Sequence, residues 1–135
     1  MAGEKNRCGG RWTEAQFRSF IKGNLRRATQ KWAPIHECSR AARVGRNEYL
    51  CAGCGSIVPS TVRDESGKRV KNIHVDHIKP VIDPALGFTT WDDCIEGMFS
   101  ELDNLQLLCS ACHKVKTDEE KEIAKERRAN AKESK

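Results

Sequence analysis

Aromatic residues make up only 6% of this 135-residue chain and hydrophobic residues 38%, beside 32% charged, a balance that leaves a modest core in need of a staple. No apolar run approaches the roughly eighteen residues that a bilayer-spanning helix needs. Residues 1–10 lack the apolar segment of a secretory signal. These absences exclude a membrane-spanning helix, and the expectation is a soluble, cytoplasmic protein with no membrane partner. The length suits one ordinary domain and argues against two full hydrophobic cores. Cysteine, by contrast, is plentiful, with seven residues. In a reducing compartment, paired Cys-x-x-Cys spacings point to metal or redox chemistry rather than to disulfides.

The net charge of +5 hides an asymmetry: residues 1–50 carry +7, residues 51–112 carry −4 and residues 113–135 carry +2. A basic flank beside an acidic centre suits a protein that docks on a polyanion and holds cations at a site. Ordinary solubility charge explains the same numbers without any partner.

Residues 1–11 are Gly-rich and polar and are expected to be disordered at the start. Thr13 and Gln16 have the spacing of a capping box, and Phe17, Phe20, Ile21, Leu25, Ala28 and Trp32 recur at helical spacing until Pro34 ends the pattern. The opposite face carries Arg18, Lys22, Arg26, Arg27 and Lys31, placed to run along phosphates or simply to be solvated. Residues 36–48 supply Arg40, Arg43 and Arg46 in a stretch compatible with a second short helix. A strand is predicted from Tyr49 into a Gly-rich turn, a hairpin or loop over 59–71, and a strand over 73–79 that ends at Pro80. Thr89 or Thr90 caps a helix whose apolar stripe is Trp91, Ile95, Met98, Phe99 and Leu102. A short strand over 105–109 follows. Ser110 is placed to cap a helix from Ala111, and Thr117 with Glu120 to open a separate charged C-terminal helix.

Cys51-x-x-Cys54 and Cys109-x-x-Cys112 are two knuckles of equal spacing, able to close a tetrahedron around Zn²⁺ at roughly 2.3 Å per ligand. A redox pair needs one knuckle beside a βαβ pattern, and no such pattern is found. Cys8, Cys38 and Cys94 have no partner at ligand spacing and read as plain thiols. A structural zinc contributes about 10–16 kcal/mol, compared with about 5–15 for a whole domain, so the metal would decide whether the chain folds. A closed four-cysteine site leaves no open position for a substrate, and any chemistry must come from elsewhere.

Asp76 and His77 adjoin at the end of a predicted strand, and His113 directly follows the last knuckle cysteine. Neighbours on a helix point about 100° apart, so Cys112 can face the zinc while His113 faces the hairpin that bears Asp76 and His77. A carboxylate and an imidazole can hold a divalent ion with positions open for water and phosphate oxygens, and a second histidine left free can deprotonate a water. His74 shares strand parity with Asp76 and could reach the same ion. His36 reads as a surface or core side chain. Asp92, Asp93, Glu96, Glu101 and Asp103 offer alternative carboxylates, or a solvated face.

The blocks Cys51-Ala-Gly-Cys54, His74-Val-Asp-His77-Ile-Lys-Pro, Asn104-Leu-Gln-Leu-Leu-Cys109 and Cys112-His113-Lys-Val-Lys116-Thr resemble the HNH endonuclease family. The resemblance covers about residues 49–117 and is similar in particular to small free-standing HNH nucleases of bacteriophages. It implies an α+β fold, a ββα-metal hairpin and helix stapled by the four-cysteine zinc site, with an added N-terminal basic helix and an inserted helix. The corresponding division is an N-terminal basic extension over 1–48, a nuclease core over 49–117 with the inserted helix at 89–102, and a charged helix or tail over 118–135. It further implies His77 as general base, Asp76 and His113 as ligands of one catalytic divalent ion, and Asn104 as a brace for the loop that orients His77. Some relatives use the asparagine or a neighbour as a metal ligand. The ion suits Mg²⁺, Mn²⁺ or another transition metal.

The partner so implied is DNA, with Arg18, Lys22, Arg26, Arg27 and Lys116 as contacts. One such site cuts one strand per event, so a double-strand break requires a homodimer, a protein partner or successive nicks. The competing reading is a noncatalytic zinc-stabilised module that binds nucleic acid. It accounts for the cysteines and the charge but not for Asp76, His77 and His113 beside them.

Overall fold

The computed structural model describes residues 3–133, in two compact units that divide between Trp32 and Ala33. In the first unit, helix α1 (Glu14–Ala28) begins at a complete capping box. Thr13 Oγ1 accepts from the Gln16 amide at 3.2 Å, and Gln16 Oε1 accepts from the Thr13 amide at 2.8 Å. Glu14 in the first turn and Arg26 and Arg27 in the last complement the helix dipole.

Two expectations for this segment change. Residues 3–11 are not shapeless: Arg7 and Trp12 exchange backbone hydrogen bonds at 3.1 Å across a turn in which Cys8, Gly9 and Gly10 all have positive φ. The Arg7 guanidinium is 2.8 Å from Glu14 and 4.2 Å from the centre of the Phe17 ring, which ties the turn to α1. Residues 1 and 2 lie outside the described residues. The helix also stops before Pro34, passing through a 3₁₀ turn at Thr29–Lys31. Pro34 instead lies in the first turn of α2 (Ala33–Ala42), where a missing N–H removes no helical bond.

The second unit holds every buried residue among those described. Strands β1 (Arg43–Gly45), β2 (Glu48–Leu50) and β3 (Ile57–Val58) form an antiparallel sheet, and β4 (Thr61–Arg63) with β5 (Arg69–Lys71) a hairpin. Strand β6 (Ile73–His77) pairs antiparallel with β7 (Leu105–Cys109), joined by a long insertion that carries α3 (Trp91–Met98). Thr90 is the N-cap of α3, accepting from the Asp93 amide at 3.1 Å. Helix α4 (Ser110–Glu133) leaves β7 without a break. The α+β class and the ββα order of β6, β7 and α4 are those the resemblance implies.

Here too local signals yield to tertiary ones. Ser110 does not cap a helix from Ala111 but is itself the first residue of α4, its hydroxyl donating to the Lys71 carbonyl at 3.1 Å. Thr117 and Glu120 open no new helix, because α4 runs through them and Glu120 is held by Lys116. Residues 134 and 135 of the expected C-terminal helix or tail lie outside the described residues.

Alternation along β7 explains how the core and the site share one strand. Leu105 and Leu107 face α2, where they form a buried cluster with Cys38 and Ile73. Leu108 joins a second buried cluster with Cys51 and Cys109. Gln106, between the two leucines, is opposite Asp76 in the register. No described helix is long and apolar enough to cross a membrane.

Leu107 is 2% exposed, so Leu107→Ala is expected to destabilise the fold by about 2–5 kcal/mol in chemical denaturation. Leu86→Ala at a 69% exposed position is expected to change stability by less than about 0.5 kcal/mol.

Candidate metal centre and active site

The two Cys-x-x-Cys knuckles come together. The ligand atoms of Cys51, Cys54, Cys109 and Cys112 all lie within 4.8 Å of one another, and none of these thiols is in a disulfide. Sulfurs at the corners of a regular tetrahedron with ~2.3 Å metal bonds stand about 3.8 Å apart, so the donor set fits a tetrahedral thiophilic ion such as zinc. The first knuckle hangs on β7 through the Ala52 amide, which donates to the Leu107 carbonyl at 2.9 Å, and the Cys109 amide points at Cys51 Sγ at 3.3 Å. Burial pushes the Cys51 thiol up, but backbone N–H groups of Cys54, Cys109 and Gly53 outweigh it and bring the group down to about 6. Cys112 is pushed up to about 12 by the thiols of Cys109 and Cys51. Four crowded sulfurs ionise together only around a cation.

Glycine shapes this contact at two places. Gly55, with φ of 72°, closes the knuckle turn in the left-handed region. At Gly53 a Cβ would stand 3.0 Å from Cβ and Sγ of Cys112 and 3.2 Å from Leu108 Cδ2, so only hydrogen lets the knuckle approach α4.

Beside the sulfur cluster, α4 turns His113 toward β6. Its Nε2 is 4.0 Å from Asp76 Oδ1, within the span of two ligand bonds of about 2.1 Å to a shared divalent ion. Asp76 is 14% exposed at its side chain, and its other oxygen is already engaged: Oδ2 accepts from Gln106 Nε2 at 3.1 Å and lies 3.0 Å from Lys116 Nζ. Lys116, expected at a DNA phosphate, also donates to the His77 carbonyl at 2.8 Å and to Glu120 Oε1 at 2.6 Å. Burial lowers the proton affinity of this ammonium, but Glu120 and Asp76 more than compensate and hold it above the ordinary lysine value. His74 stacks on His113 with ring centres 4.7 Å apart, and its Nε2 meets Ser110 Oγ at 3.0 Å. Burial first, then the charges of His113 and Lys71, keep His74 below the usual histidine range.

His77, the next residue along β6, has a different surrounding. Its Nε2 is 2.9 Å from the backbone carbonyl of Met98, at the end of α3. A carbonyl only accepts, so Nε2 carries the hydrogen and Nδ1 is left with its lone pair, the tautomer of a general base. Asn104 clamps the backbone just beyond. Its Oδ1 accepts from the Lys79 amide at 2.9 Å, and its Nδ2 donates to the Lys79 carbonyl at 3.3 Å and to Ser100 Oγ at 3.1 Å. The Asn104 carbonyl takes the Ile78 amide at 2.8 Å, and Ser100 is anchored on the Gly97 carbonyl at 2.6 Å. The strand bearing His77 is thus tied at two points to the insertion.

Other sequence candidates stay outside this arrangement. Asp92, Asp93, Glu96, Glu101 and Asp103 are exposed, and among the described residues no group of three potential ligands forms apart from the four cysteines. Asp93 instead accepts from Thr89 Oγ1 at 2.7 Å. Cys38 and Cys94 are buried thiols and Cys8 an exposed one. Arg18, Lys22, Arg26 and Arg27 belong to the first unit, with Arg26 and Arg27 exposed and Arg18 and Lys22 partly buried. Sequence reasoning missed Met98, Ser100, Gln106 and Glu120 as parts of the site. For Gln106, strand parity opposite Asp76 was an available signal, and for Glu120 the four-residue spacing from Lys116. Met98 acts through a backbone carbonyl, for which side-chain identity carries no signal.

The family model described as HNH endonuclease matches residues 51–119, a little over half of the chain. No curated protein and no solved structure matches it.

Because a methyl group at position 53 would press on Cys112 Sγ, Gly53→Ala is expected to weaken metal retention by about 10–100-fold, read by competition with a chromogenic chelator. Gly23→Ala, in open space, is expected to leave metal retention unchanged.

Proposed function

Since the chain belongs to the HNH endonuclease family, we propose that it is a divalent-metal-dependent nuclease that hydrolyses phosphodiester bonds in DNA, with Nδ1 of His77 as the general base. The observation that carries this reading is the 2.9 Å contact of His77 Nε2 with the Met98 carbonyl, which leaves Nδ1 with its lone pair on the residue next to Asp76, whose Oδ1 is 4.0 Å from His113. Zinc, held by Cys51, Cys54, Cys109 and Cys112, is structural and sets α4 against β7.

Asp76 Oδ1 and His113 Nε2 are the ligands for a catalytic Mg²⁺, Mn²⁺ or other transition-metal ion. When bound, such an ion supplies Lewis-acid stabilisation of charge on a nonbridging phosphate oxygen and on the leaving 3′ oxygen. His77 Nδ1 takes a proton from a water, and the hydroxide attacks phosphorus as the bond to the 3′ oxygen breaks; that oxygen takes a proton from solvent water, leaving 5′-phosphate and 3′-hydroxyl ends. Asn104 holds the backbone at Lys79, two residues after His77, so that the imidazole does not swing away from Met98. Arg18, Lys22, Arg26 and Arg27 of α1 lie along DNA phosphates, which makes binding weaken as salt rises.

The test incubates zinc-loaded protein with supercoiled plasmid in Mg²⁺ or Mn²⁺, with and without EDTA. Nicked or linear product is expected only with the divalent ion. His77→Ala is expected to keep zinc and DNA affinity and to lose cleavage by about 10²–10⁴-fold. Asn104→Ala is expected to slow cleavage while zinc content is retained. A plasmid that shifts in a binding gel but stays supercoiled in every lane would replace this reading with that of a noncatalytic nucleic-acid-binding module.

A further inference from the structure

The Lys116 ammonium has three N–H donors and three partners: Asp76 Oδ2 at 3.0 Å, the His77 carbonyl at 2.8 Å and Glu120 Oε1 at 2.6 Å. No donor remains for a phosphate unless one of these contacts breaks. The side chain is 23% exposed, so the charge is held inside the site rather than offered to solvent. Its position matters because Asp76, with His113, is placed to ligate a catalytic ion. Among the described residues no further histidine, cysteine, aspartate or glutamate completes a ligand group with Asp76 and His113. One of the two ligands thus shares its charge with a fixed cation.

We propose that Lys116 is a positioning and charge-setting residue of the Asp76–His113 pair: it holds Oδ2 of Asp76, so that the pair binds a divalent ion weakly alone and tightly only together with a DNA phosphate. Two effects follow from one ammonium. By occupying Oδ2 together with Gln106, it leaves Oδ1 as the oxygen turned toward His113, which makes Asp76 a one-oxygen ligand. By standing on the same carboxylate, it repels a second, doubly charged cation at Oδ1. A phosphate supplies what is lacking, both ligand oxygens and negative charge. The ion and the DNA therefore bind cooperatively, and each raises the affinity of the other by the same factor. Glu120 locks Lys116 from the next turn of α4, which keeps the ammonium from following Asp76 when the carboxylate rotates.

This inference rests on the nuclease reading, and Mn²⁺ binding separates the two. Mn²⁺ is titrated by electron paramagnetic resonance into zinc-loaded His77→Ala protein, alone and with a short DNA duplex that this background leaves intact. The duplex is expected to raise Mn²⁺ affinity about 5–150-fold. Without DNA, Lys116→Met is expected to raise Mn²⁺ affinity about tenfold, whereas Lys116→Arg, which keeps the charge, is expected not to raise it. Zinc content and circular dichroism establish folding, and Lys116→Gln replaces Lys116→Met if the latter does not fold. Equal Mn²⁺ affinity with and without bound DNA overturns the coupling, and unchanged or weaker Mn²⁺ binding in the uncharged variant overturns the role of Lys116. If protein with His77 intact still cleaves plasmid in either case, the nuclease reading stands. Failure of the duplex to bind at all overturns both.

Discussion

Four sulfurs brought within 4.8 Å of one another govern the rest of this structure. Two of them sit in the turn after β2, one ends β7 and one lies in the first turn of α4, so holding all four fixes how the helix is rotated about its axis. That rotation decides where the next residue points. With Cys112 in the cluster, His113 faces β6 and reaches 4.0 Å from Asp76. A chain with 6% aromatics and a small set of buried aliphatics has little other means of setting that rotation. The absence of a side chain at Gly53 belongs to the same constraint, since the knuckle meets α4 through it.

The second determinant is the insertion between β6 and β7. It lengthens the hairpin, and it reaches the site through one backbone carbonyl and one side-chain amide. The end of α3 presents the Met98 carbonyl to His77, and the turn before β7 presents Asn104 to Lys79. A hydrogen bond from a ring nitrogen to a carbonyl selects one tautomer and one ring orientation, two properties a general base needs. The capping of α3 by Thr90 and the bond from Ser100 to Gly97 keep that carbonyl in place. An ion pair network on the other side, Asp76 with Lys116 and Glu120, orients the neighbouring carboxylate. Adjacent residues on one strand thus look to opposite supports: Asp76 to α4, His77 to α3.

Much of this was legible in the sequence. The capping box at Thr13, the strand at 105–109, the cysteine spacing and the approach of His113 to Asp76 are all short-range or type-specific signals. Errors arose where a local signal was real but outweighed. Ser110 can cap a helix, yet pairing of β7 with β6 and the cysteine at 112 start the helix at Ser110 itself. Thr117 and Glu120 have capping-box spacing, yet Glu120 is drawn into the Lys116 network and the helix passes through. Pro34 breaks a helix only from its second turn onward, and here it lies in the first turn of α2.

The sequence by itself determined which atoms are available: four thiols in two equal knuckles, a carboxylate beside an imidazole on a strand, and an imidazole next to the last thiol. Those are properties of residue type and of spacing within one element, and periodicity carries them. The tertiary structure alone decided which nitrogen of His77 faces a carbonyl, which oxygen of Asp76 is open, and that Lys116 points inward. Each depends on a partner from a distant part of the chain, Met98 for His77 and Lys116 for Asp76. A backbone carbonyl or a shared ammonium leaves no trace in the spacing of the residues it serves, because its effect is set by position in space.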